Sequence, residues 1–421
     1  MLTEEKYRAY TALLNSELQL ASGCTEPIAI AYCAAYAKKL LGESVGRCVV
    51  RCSGNMIKNA MAVVVPQTGG RRGIETAALA GIIFGDPDKK LEVLNTESAE
   101  RGRGEIDALR PIISVELLES RHALHIITEL YGEHGSVSVE IIDQHTGIGR
   151  VVKNGEVLHE TAEAQSQEES RDFELLNLAD IVEYADAVAL DDVRATLERQ
   201  IERNMLIAAE GLRGDWGESV GKTLLAGRDD LRTRMRALAA AGSDARMNGC
   251  PLPVVINCGS GNQGITASVP VAVYAEAKGF DRDRLLRALC CSNLIAMRQK
   301  ACIGRLSAYC GAVCAAAGAA AGIAYLDGCR ADRIGALVSN TVCAVGGMVC
   351  DGAKSSCAGK IALALEAALL GYDMAAADRA YRPGEGLVGA DAEQTVNRVG
   401  RMARAGMRAT DTEILNIMLG H

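Results

Sequence analysis

The feature that most constrains the fold is the segment from Arg284 to Leu369, which is rich in Ala, Gly and Cys and carries few charges. Its longest uncharged runs are Ala308 to Leu326 and Ile334 to Cys350. They fall near the lower limit for spanning a membrane and are built on small residues instead of Leu and Ile. We therefore predict that this segment forms short-looped, close-packed helices at the buried centre of an α-helical domain.

The first part of the chain has a different pattern. Helices are predicted at about Glu4 to Leu20 and Pro27 to Leu41, followed by a strand with a Gly exit at 45–54. Between residues 89 and 160, apolar residues alternate at period two, which is typical of strands. These predicted strands cover 91–95, 114–119, 123–130 and 136–143, with one helical stretch at Glu97 to Ile112 among them.

Together these patterns indicate an α+β fold class, in which an Ala/Gly/Cys-rich buried α-helical domain accompanies a smaller inserted α/β domain. The predicted domains are 1–88 (N-terminal helices and a strand, packing with the helical domain), 89–160 (the inserted α/β domain) and 173–421 (mainly α-helical). The polar, acidic segment 159–172 is interpreted as a solvated linker or, equally, as the exposed start of a helix.

Charge and the N-terminal sequence argue against two classes of partner. Lys and Arg number 45 against 53 Asp and Glu, so the net charge of -8 repels a phosphate backbone and we expect no nucleic-acid partner. The N-terminus has acids where a secretory signal has bases, and no apolar region follows, which predicts a cytoplasmic protein without a membrane partner. No motif bears on self-association, so a homo-oligomer is left open.

The chain contains 15 cysteines, and a cytoplasmic compartment keeps thiols reduced. They are therefore either small core residues or ligands and nucleophiles, and most are expected to fill the core. Neither a C-x-x-C pair nor H-E-x-x-H occurs, so zinc-ribbon and ferredoxin patterns are absent from the sequence.

The motif S-G-C-T-E-P, residues 22–27, places a cysteine at the start of a predicted helix. Pro27 suits the first helical turn and Thr25 or Glu26 can cap it, so Cys24 is expected just before the helix N-terminus. The macrodipole and free N–H groups there stabilise a thiolate, which predicts a lowered pKa for Cys24 and a role as base or nucleophile. The alternative is a small residue in a tight turn.

Two further cysteines flank a short loop in C-A-V-G-G-M-V-C-D-G-A-K-S-S-C, residues 343–357. The turn signal D-G and the helix-start signal S-S predict that Cys350 ends one helix and Cys357 opens the next. Upstream, Y-C-G-A-V-C offers Cys310 or Cys314 as a third thiol. Three thiolates and one open iron would form a Lewis-acid site, in contrast to the four thiolates of electron-transfer clusters. On spacing alone, core packing is an equal alternative.

The motif G-S-G-N-Q-G, residues 259–264, follows a strand-like run and reproduces the G-x-G-x-x-G spacing of dinucleotide-binding loops. Pro270 and the helical segments after it do not fit a βαβ unit, which argues against that function. The loop at Gly261, with Asn262 and Gln263, is instead predicted to bind a substrate carboxylate, or to form a sharp strand-to-helix turn.

A fourth polar motif, S-G-N-M-I-K-N-A at residues 53–60, places Asn55, Lys58 and Asn59 on one side of a short turn or helix. Lys58 is predicted either to pair with a substrate carboxylate or to be a solvated surface lysine.

With these four motifs, the chain resembles the L-cysteine desulfidase and serine dehydratase alpha-chain-like family over nearly its full length. The sharpest matches are S-G-C-T-E-P, G-N-M-I-K-N, G-S-G-N-Q-G and M-V-C-D-G-A-K-S-S-C. The resemblance implies an iron-sulfur lyase without pyridoxal phosphate, which converts L-cysteine to pyruvate, ammonia and sulfide, or L-serine with release of water. The C-D-P-x-x-G-L ligand segment of serine dehydratases is not reproduced here, which favours the desulfidase branch.

The resemblance also implies roles for particular residues. The family's proton-accepting cysteine falls on Cys24, and its 4Fe-4S cluster ligands fall on Cys350 and Cys357. Cys310 best matches the third ligand, with Cys302 and Cys314 as alternatives close by. The residues assigned to binding a small amino acid substrate are Glu26, Asn55, Lys58, Gly261, Asn262 and Gln263.

The resulting hypothesis is a β-elimination, in which an open iron binds the substrate while the Cys24 thiolate removes its α-proton. Departure of the β-substituent leaves an aminoacrylate, which becomes an imine and hydrolyses to pyruvate and ammonia. Two other functions stay open: an L-serine dehydratase of the same mechanism, and a non-enzymatic iron-sulfur or thiol sensor.

Overall fold

The computed structural model describes residues 2–161 and 172–420, which form a mixed β-sheet and a larger body of helices. The strands are β1 (Leu20–Ser22), β2 (Arg47–Ser53), β3 (Ile113–Leu118), β4 (His125–Tyr131), β5 (Ser136–Ile142), β6 (Ile148–Lys153), β7 (Glu156–Glu160) and β8 (Pro253–Val255). The helices before and within the sheet segment are α1 (Glu4–Glu17), α2 (Thr25–Leu41), α3 (Gly54–Ala60), α4 (Gly73–Phe84), α5 (Ala99–Gly102) and α6 (Ile106–Leu109). The later helices are α7 (Leu178–Ala187), α8 (Arg194–Arg213), α9 (Val220–Leu225), α10 (Leu231–Met247), α11 (Gly261–Lys278), α12 (Arg282–Ile303), α13 (Gly311–Leu326), α14 (Ala331–Val345), α15 (Ser356–Ala376), α16 (Ala392–Arg401) and α17 (Arg408–Leu419). The predicted α+β fold class is confirmed.

The larger sheet has six strands in the order β3-β2-β4-β5-β6-β7. Only β2 and β3 run parallel, and the other neighbours are antiparallel. Side chains of β4 and β5 alternate between buried and half-buried, as expected when one face of a sheet is covered. Helix α2 packs on this covered face, where the Cys33 thiol donates a hydrogen bond to the Val139 carbonyl (3.3 Å).

The sheet takes one of its strands from the N-terminal part of the chain. Strand β2 lies between β3 and β4, so the strands of the segment 89–160 are completed by residues 47–53. The domain boundaries 1–88, 89–160 and 173–421 stay a prediction.

Helix α13 occupies the centre of the helical body and contacts α11, α12, α14 and α15. Every one of its residues after Gly311 is buried, so the expected buried centre of the helical domain is confirmed. Two glycines allow the close approach to α12: a Cβ at Gly318 would lie 2.4 Å from the Ser292 carbonyl oxygen, and one at Gly322 would lie 2.9 Å from that of Ala288. No helix within residues 2–161 and 172–420 combines the length and the apolar character that crossing a bilayer requires.

Two predicted elements of the inserted segment are wrong. Residues 91–95 are not a strand, because the 3₁₀ helix Pro87–Glu92 and a turn bury Leu91 and Leu94 without a partner strand. The helix expected from Glu97 to Ile112 is broken into α5, α6 and the 3₁₀ turn Arg110–Ile112. Its glycines and proline, at positions 102, 104 and 111, explain the breaks.

The hairpin of β6 and β7 was missed by the period-two pattern, although its turn has a clear signal. Asn154 and Gly155 both have positive φ (52° and 83°), as a tight two-residue hairpin turn requires, and Asn-Gly is its preferred pair. The predicted linker 159–172 begins within β7, and its residues 162–171 lie outside the described residues.

A stability test follows from the turn between β8 and α11. A Cβ at Gly264 would lie 1.9 Å from the Val255 carbonyl oxygen, so Gly264→Ala forces the backbone apart and is expected to cost about 3 kcal/mol in unfolding free energy, measured by urea denaturation. Gly359→Ala is the matched control, since nothing lies within 4 Å of its Cβ position in α15 and alanine favours the helix. Equal stability of the two variants would contradict this packing argument.

Candidate active site

One cavity of about 100 Å³ collects residues from all four sequence motifs. The N-terminal ends of four helices border it, because Cys24, Ser260, Cys310 and Ser355 are the N-cap residues of α2, α11, α13 and α15. Ser355 itself precedes Cys357, which lines the wall in the first turn of α15. Helix N-termini carry partial positive charge and free N–H groups, so their convergence favours anionic ligands.

The cavity brings together the four cysteines assigned from the family resemblance. The proposed base Cys24 and the proposed ligands Cys310, Cys350 and Cys357 all line its wall. The two alternatives for the third ligand do not line it. Cys302 lies near the end of α12, where it accepts a hydrogen bond from Arg298 of the same helix (2.7 Å). Cys314 is fully buried one turn further along α13 than Cys310.

A short backbone pairing positions two of these thiols. Tyr309 and Val349 form an antiparallel bridge, in which the Cys350 N–H donates to the Ala308 carbonyl (2.7 Å) and the Cys310 N–H to the Met348 carbonyl (2.9 Å). The interaction with the Cys310 thiol lowers the pKa of Cys350 despite its burial, and the Lys58 ammonium adds to this effect. This effect favours the thiolate form of Cys350, which is the form that binds metals.

The expected position of Cys350 at a helix end is wrong. Helix α14 already ends at Val345, because Gly346 leaves the helix and Gly347 has a φ of 106°. Cys350 lies instead in the extended pairing segment. Cys357 does open the next helix, as predicted, and burial raises its pKa.

The arrangement fits an iron-sulfur cluster better than a single metal ion. Among residues 2–161 and 172–420, no three His, Cys, Asp or Glu side chains come close enough together to bind one ion. A four-iron cluster has a looser requirement, because each thiolate binds a different iron. Three thiols on one wall can supply the donors for such a cluster, and the helix N-termini supply positive potential.

Cys24 occupies the predicted place but not the predicted electrostatic state. It is itself the N-cap residue of α2, so Thr25 and Glu26 do not cap the helix. The residue is fully buried, packs beside Cys357 and lies 3.6 Å from the Met247 sulfur. Burial raises the pKa of Cys24 to about 12, so the expected lowering is wrong: loss of solvation outweighs the helix N-terminus.

The substrate-binding residues predicted in α2 and α11 reach the cavity. Glu26, Asn262 and Gln263 line it. Although burial opposes this, the interaction with His145, whose Nε2 lies 4.0 Å from the carboxylate, lowers the pKa of Glu26, so the side chain stays ionised. Gly261 opens α11 beside the wall, where a Cβ would lie 2.2 Å from the Arg246 Nε.

The strand before this loop pairs in a way that does not create a βαβ unit. Strand β8 pairs antiparallel with β1 in a two-stranded sheet, and Pro270 lies inside α11. The G-x-G-x-x-G spacing therefore arises from a tight strand-to-helix turn whose helix borders the cavity.

The motif at residues 53–60 contributes differently from its predicted role. Lys58 is 1% exposed, forms an ion pair with Asp411 of α17 and donates to the Cys350 carbonyl (3.3 Å). It is neither a surface lysine nor available to a substrate carboxylate. Asn55 does not line the cavity, whereas Asn59, one turn later, does.

Three cavity residues were missed by sequence reasoning. Arg246 and Lys300 are buried at 3% and 4% exposure, and neither forms an ion pair with a carboxylate in the part of the chain that the structure describes. The Tyr309 hydroxyl is likewise buried without a hydrogen-bond partner there. No local motif marks these positions, since charged residues on helices are usually solvated.

Comparison with known proteins identifies the family of this chain. A family model described as "Serine dehydratase alpha chain" matches residues 93–416. A UPF0597 protein of Lachnoclostridium phytofermentans is 46% identical over 419 residues, covering 98% of this chain and 100% of the relative. A UPF0597 protein of Desulfitobacterium hafniense is 46% identical over 416 residues (98% and 97% covered), and one of Bacteroides fragilis is 36% identical over 428 residues (99% of each). The chain therefore belongs to the serine dehydratase alpha chain family, whose name denotes lyase chemistry.

Proposed function

We propose that the protein is an iron-sulfur-dependent lyase that removes the β-substituent of L-cysteine, giving pyruvate, ammonia and hydrogen sulfide without pyridoxal phosphate. The observation that carries this proposal is the presence of Cys24, Cys310, Cys350 and Cys357 on the wall of one small cavity. Bound by the last three thiolates, a 4Fe-4S cluster would keep one iron free of protein ligands and supply a Lewis acid.

Cys24 is the proposed proton acceptor. Its thiolate takes the α-proton of the substrate, the carbon–sulfur bond breaks, and the electron pair forms the double bond of 2-aminoacrylate while sulfide leaves. This product becomes an imine, and water hydrolyses it to pyruvate and ammonia. Burial raises the pKa of Cys24, and the charge of Arg246 offsets only part of that effect.

The remaining polar residues orient the substrate and protect it from water. The ionised Glu26 provides a counter-charge for the substrate ammonium, and the buried Gln263 Oε1, which has no hydrogen-bond partner among the described residues, provides an acceptor. A cavity of about 100 Å³ suits a small amino acid rather than a peptide. Such orientation supplies a large part of an enzyme's rate gain.

L-Serine is the second candidate substrate, and the name of the matched family favours it. The same residues would serve, with water leaving instead of sulfide. The two substrates differ only in the departing atom, so the cavity wall does not separate them.

Anaerobic reconstitution with iron and sulfide tests the proposal. We expect the reconstituted protein to be brown, with a broad visible absorbance band, and to release equal amounts of pyruvate and sulfide from L-cysteine. L-Serine is assayed in parallel and should release pyruvate without sulfide. A colourless, fully active enzyme would rule out the cluster. A coloured protein that consumes neither amino acid would support the sensor function instead.

A further inference from the structure

Arg246 is a buried cation without a carboxylate at ion-pair distance among the described residues, and the charge of Glu26 on the same cavity wall acts on it only at longer range. It is 3% exposed, and its Nη1 donates a hydrogen bond to the Asn262 side-chain oxygen (3.2 Å). Its Nε is buried without an acceptor, and none of the described carboxylates forms an ion pair with it. Burying an unpaired charge is costly, so the structure calls for an anion here.

The position of Arg246 relative to Cys24 indicates which anion binds to it. It ends α10 and lies against Gly261, in the first turn of α11, on the same cavity wall as Cys24. Arg246 directly precedes Met247, whose sulfur lies 3.6 Å from the Cys24 sulfur, so the two groups are close. The carbon that gives its proton to Cys24 also carries the substrate carboxylate, so a carboxylate bound at Arg246 would present that carbon to the thiolate.

The other cations of the cavity are less suitable. Arg305 is paired with Glu17 (Nη1 to Oε2, 3.0 Å). Lys300 donates to the Arg305 carbonyl (3.1 Å), and its charge acts on the thiols of Cys258 and Cys314 instead of Cys24.

We propose that Arg246 binds the α-carboxylate of the substrate, with Glu26 holding the α-ammonium, so that the site selects free α-amino acids over amines and amino acid amides. The identity of the ligand rests on the proposed function, whereas the requirement for a carboxylate rests on Arg246 itself. A guanidinium suits this task because its planar N–H groups match a carboxylate in a bidentate manner.

Binding of L-alanine to the reconstituted protein tests this inference without turnover, because L-alanine has no β-substituent to lose. Calorimetric titration should show that wild-type protein binds L-alanine about 100-fold more tightly than L-alaninamide. Arg246→Gln should weaken L-alanine binding about 100-fold and leave L-alaninamide binding nearly unchanged, so that the preference disappears. Arg246→Lys, which keeps the charge but loses the bidentate geometry, should give an intermediate loss of about 10-fold.

Arg232→Gln is the matched control, since Arg232 lies on the same helix but pairs with Glu366 and Asp373 away from the cavity. Its L-alanine affinity should equal that of the wild type. Equal wild-type affinity for L-alanine and L-alaninamide, or unchanged L-alanine binding in Arg246→Gln, would overturn the inference. If L-alanine binds as expected but no pyruvate is ever released, the lyase proposal fails while the carboxylate site stands.

Discussion

Cys24→Ala is expected to lower kcat for pyruvate release from L-cysteine about 10³-fold, because removing a positioned proton acceptor typically costs two to four orders of magnitude. Iron content and cluster absorbance should stay at wild-type levels, since Cys24 is not among the proposed ligands. Steady-state kinetics under anaerobic conditions and iron determination on the same samples measure both quantities. Measuring kcat and iron content on the same samples distinguishes loss of the proton acceptor from loss of the cluster.

Cys33→Ala is the matched control for this variant. Cys33 lies on the same helix and is equally buried, but its thiol donates to the Val139 carbonyl on the sheet and does not line the cavity. We expect wild-type kcat and a loss of about 1 kcal/mol in unfolding free energy. Should Cys24→Ala retain full activity, the proton acceptor is another group; should it lose the cluster absorbance, Cys24 is a ligand.

Local signals were sufficient to place two of the cavity cysteines at helix starts. Pro27 and the glycine before Cys24 mark a helix start, and Cys24 indeed precedes α2. Cys357 was likewise placed at a helix start by its serines. These positions were predictable because helix N-termini depend on a few adjacent residues. The burial of Cys24, and hence the direction of its pKa shift, depends on Met247 and other distant residues, which no local pattern reveals.

Long-range contacts explain the remaining differences. Lys58 was expected to meet solvent or substrate, yet its ammonium pairs with Asp411, which is 353 positions away in the sequence. Arg246 is one of four arginines on α10 and no local motif distinguishes it, since only folding places it beside Asn262. Cys350 lies in an extended segment because that segment pairs with the backbone at Ala308, and this pairing leaves no periodic signal in the sequence.

Lys58→Met is expected to destabilise the protein by about 3 kcal/mol, because it leaves the largely buried Asp411 carboxylate without its counter-charge. The same carboxylate accepts a hydrogen bond from the Ala308 N–H (2.9 Å), and Lys58 donates to the Cys350 carbonyl (3.3 Å), so the ion pair supports both segments that position Cys310 and Cys350. Iron bound per chain after reconstitution should therefore fall as well. Urea unfolding and iron determination measure the two effects.

Lys39→Met provides the comparison, since Lys39 and Asp88 form an ion pair with side chains 55% and 76% exposed. Exposed pairs contribute little because water screens them, so the expected loss of stability is much smaller than that of Lys58→Met, with unchanged iron content. The double variant Lys58→Met, Asp411→Leu should be more stable than Lys58→Met alone, because it removes the unpaired charge, yet it should still bind less iron, because Ala308 has lost its acceptor. A Lys58→Met protein as stable and as iron-rich as Lys39→Met would show that the Lys58 to Asp411 pair does not hold the thiol-bearing segments together.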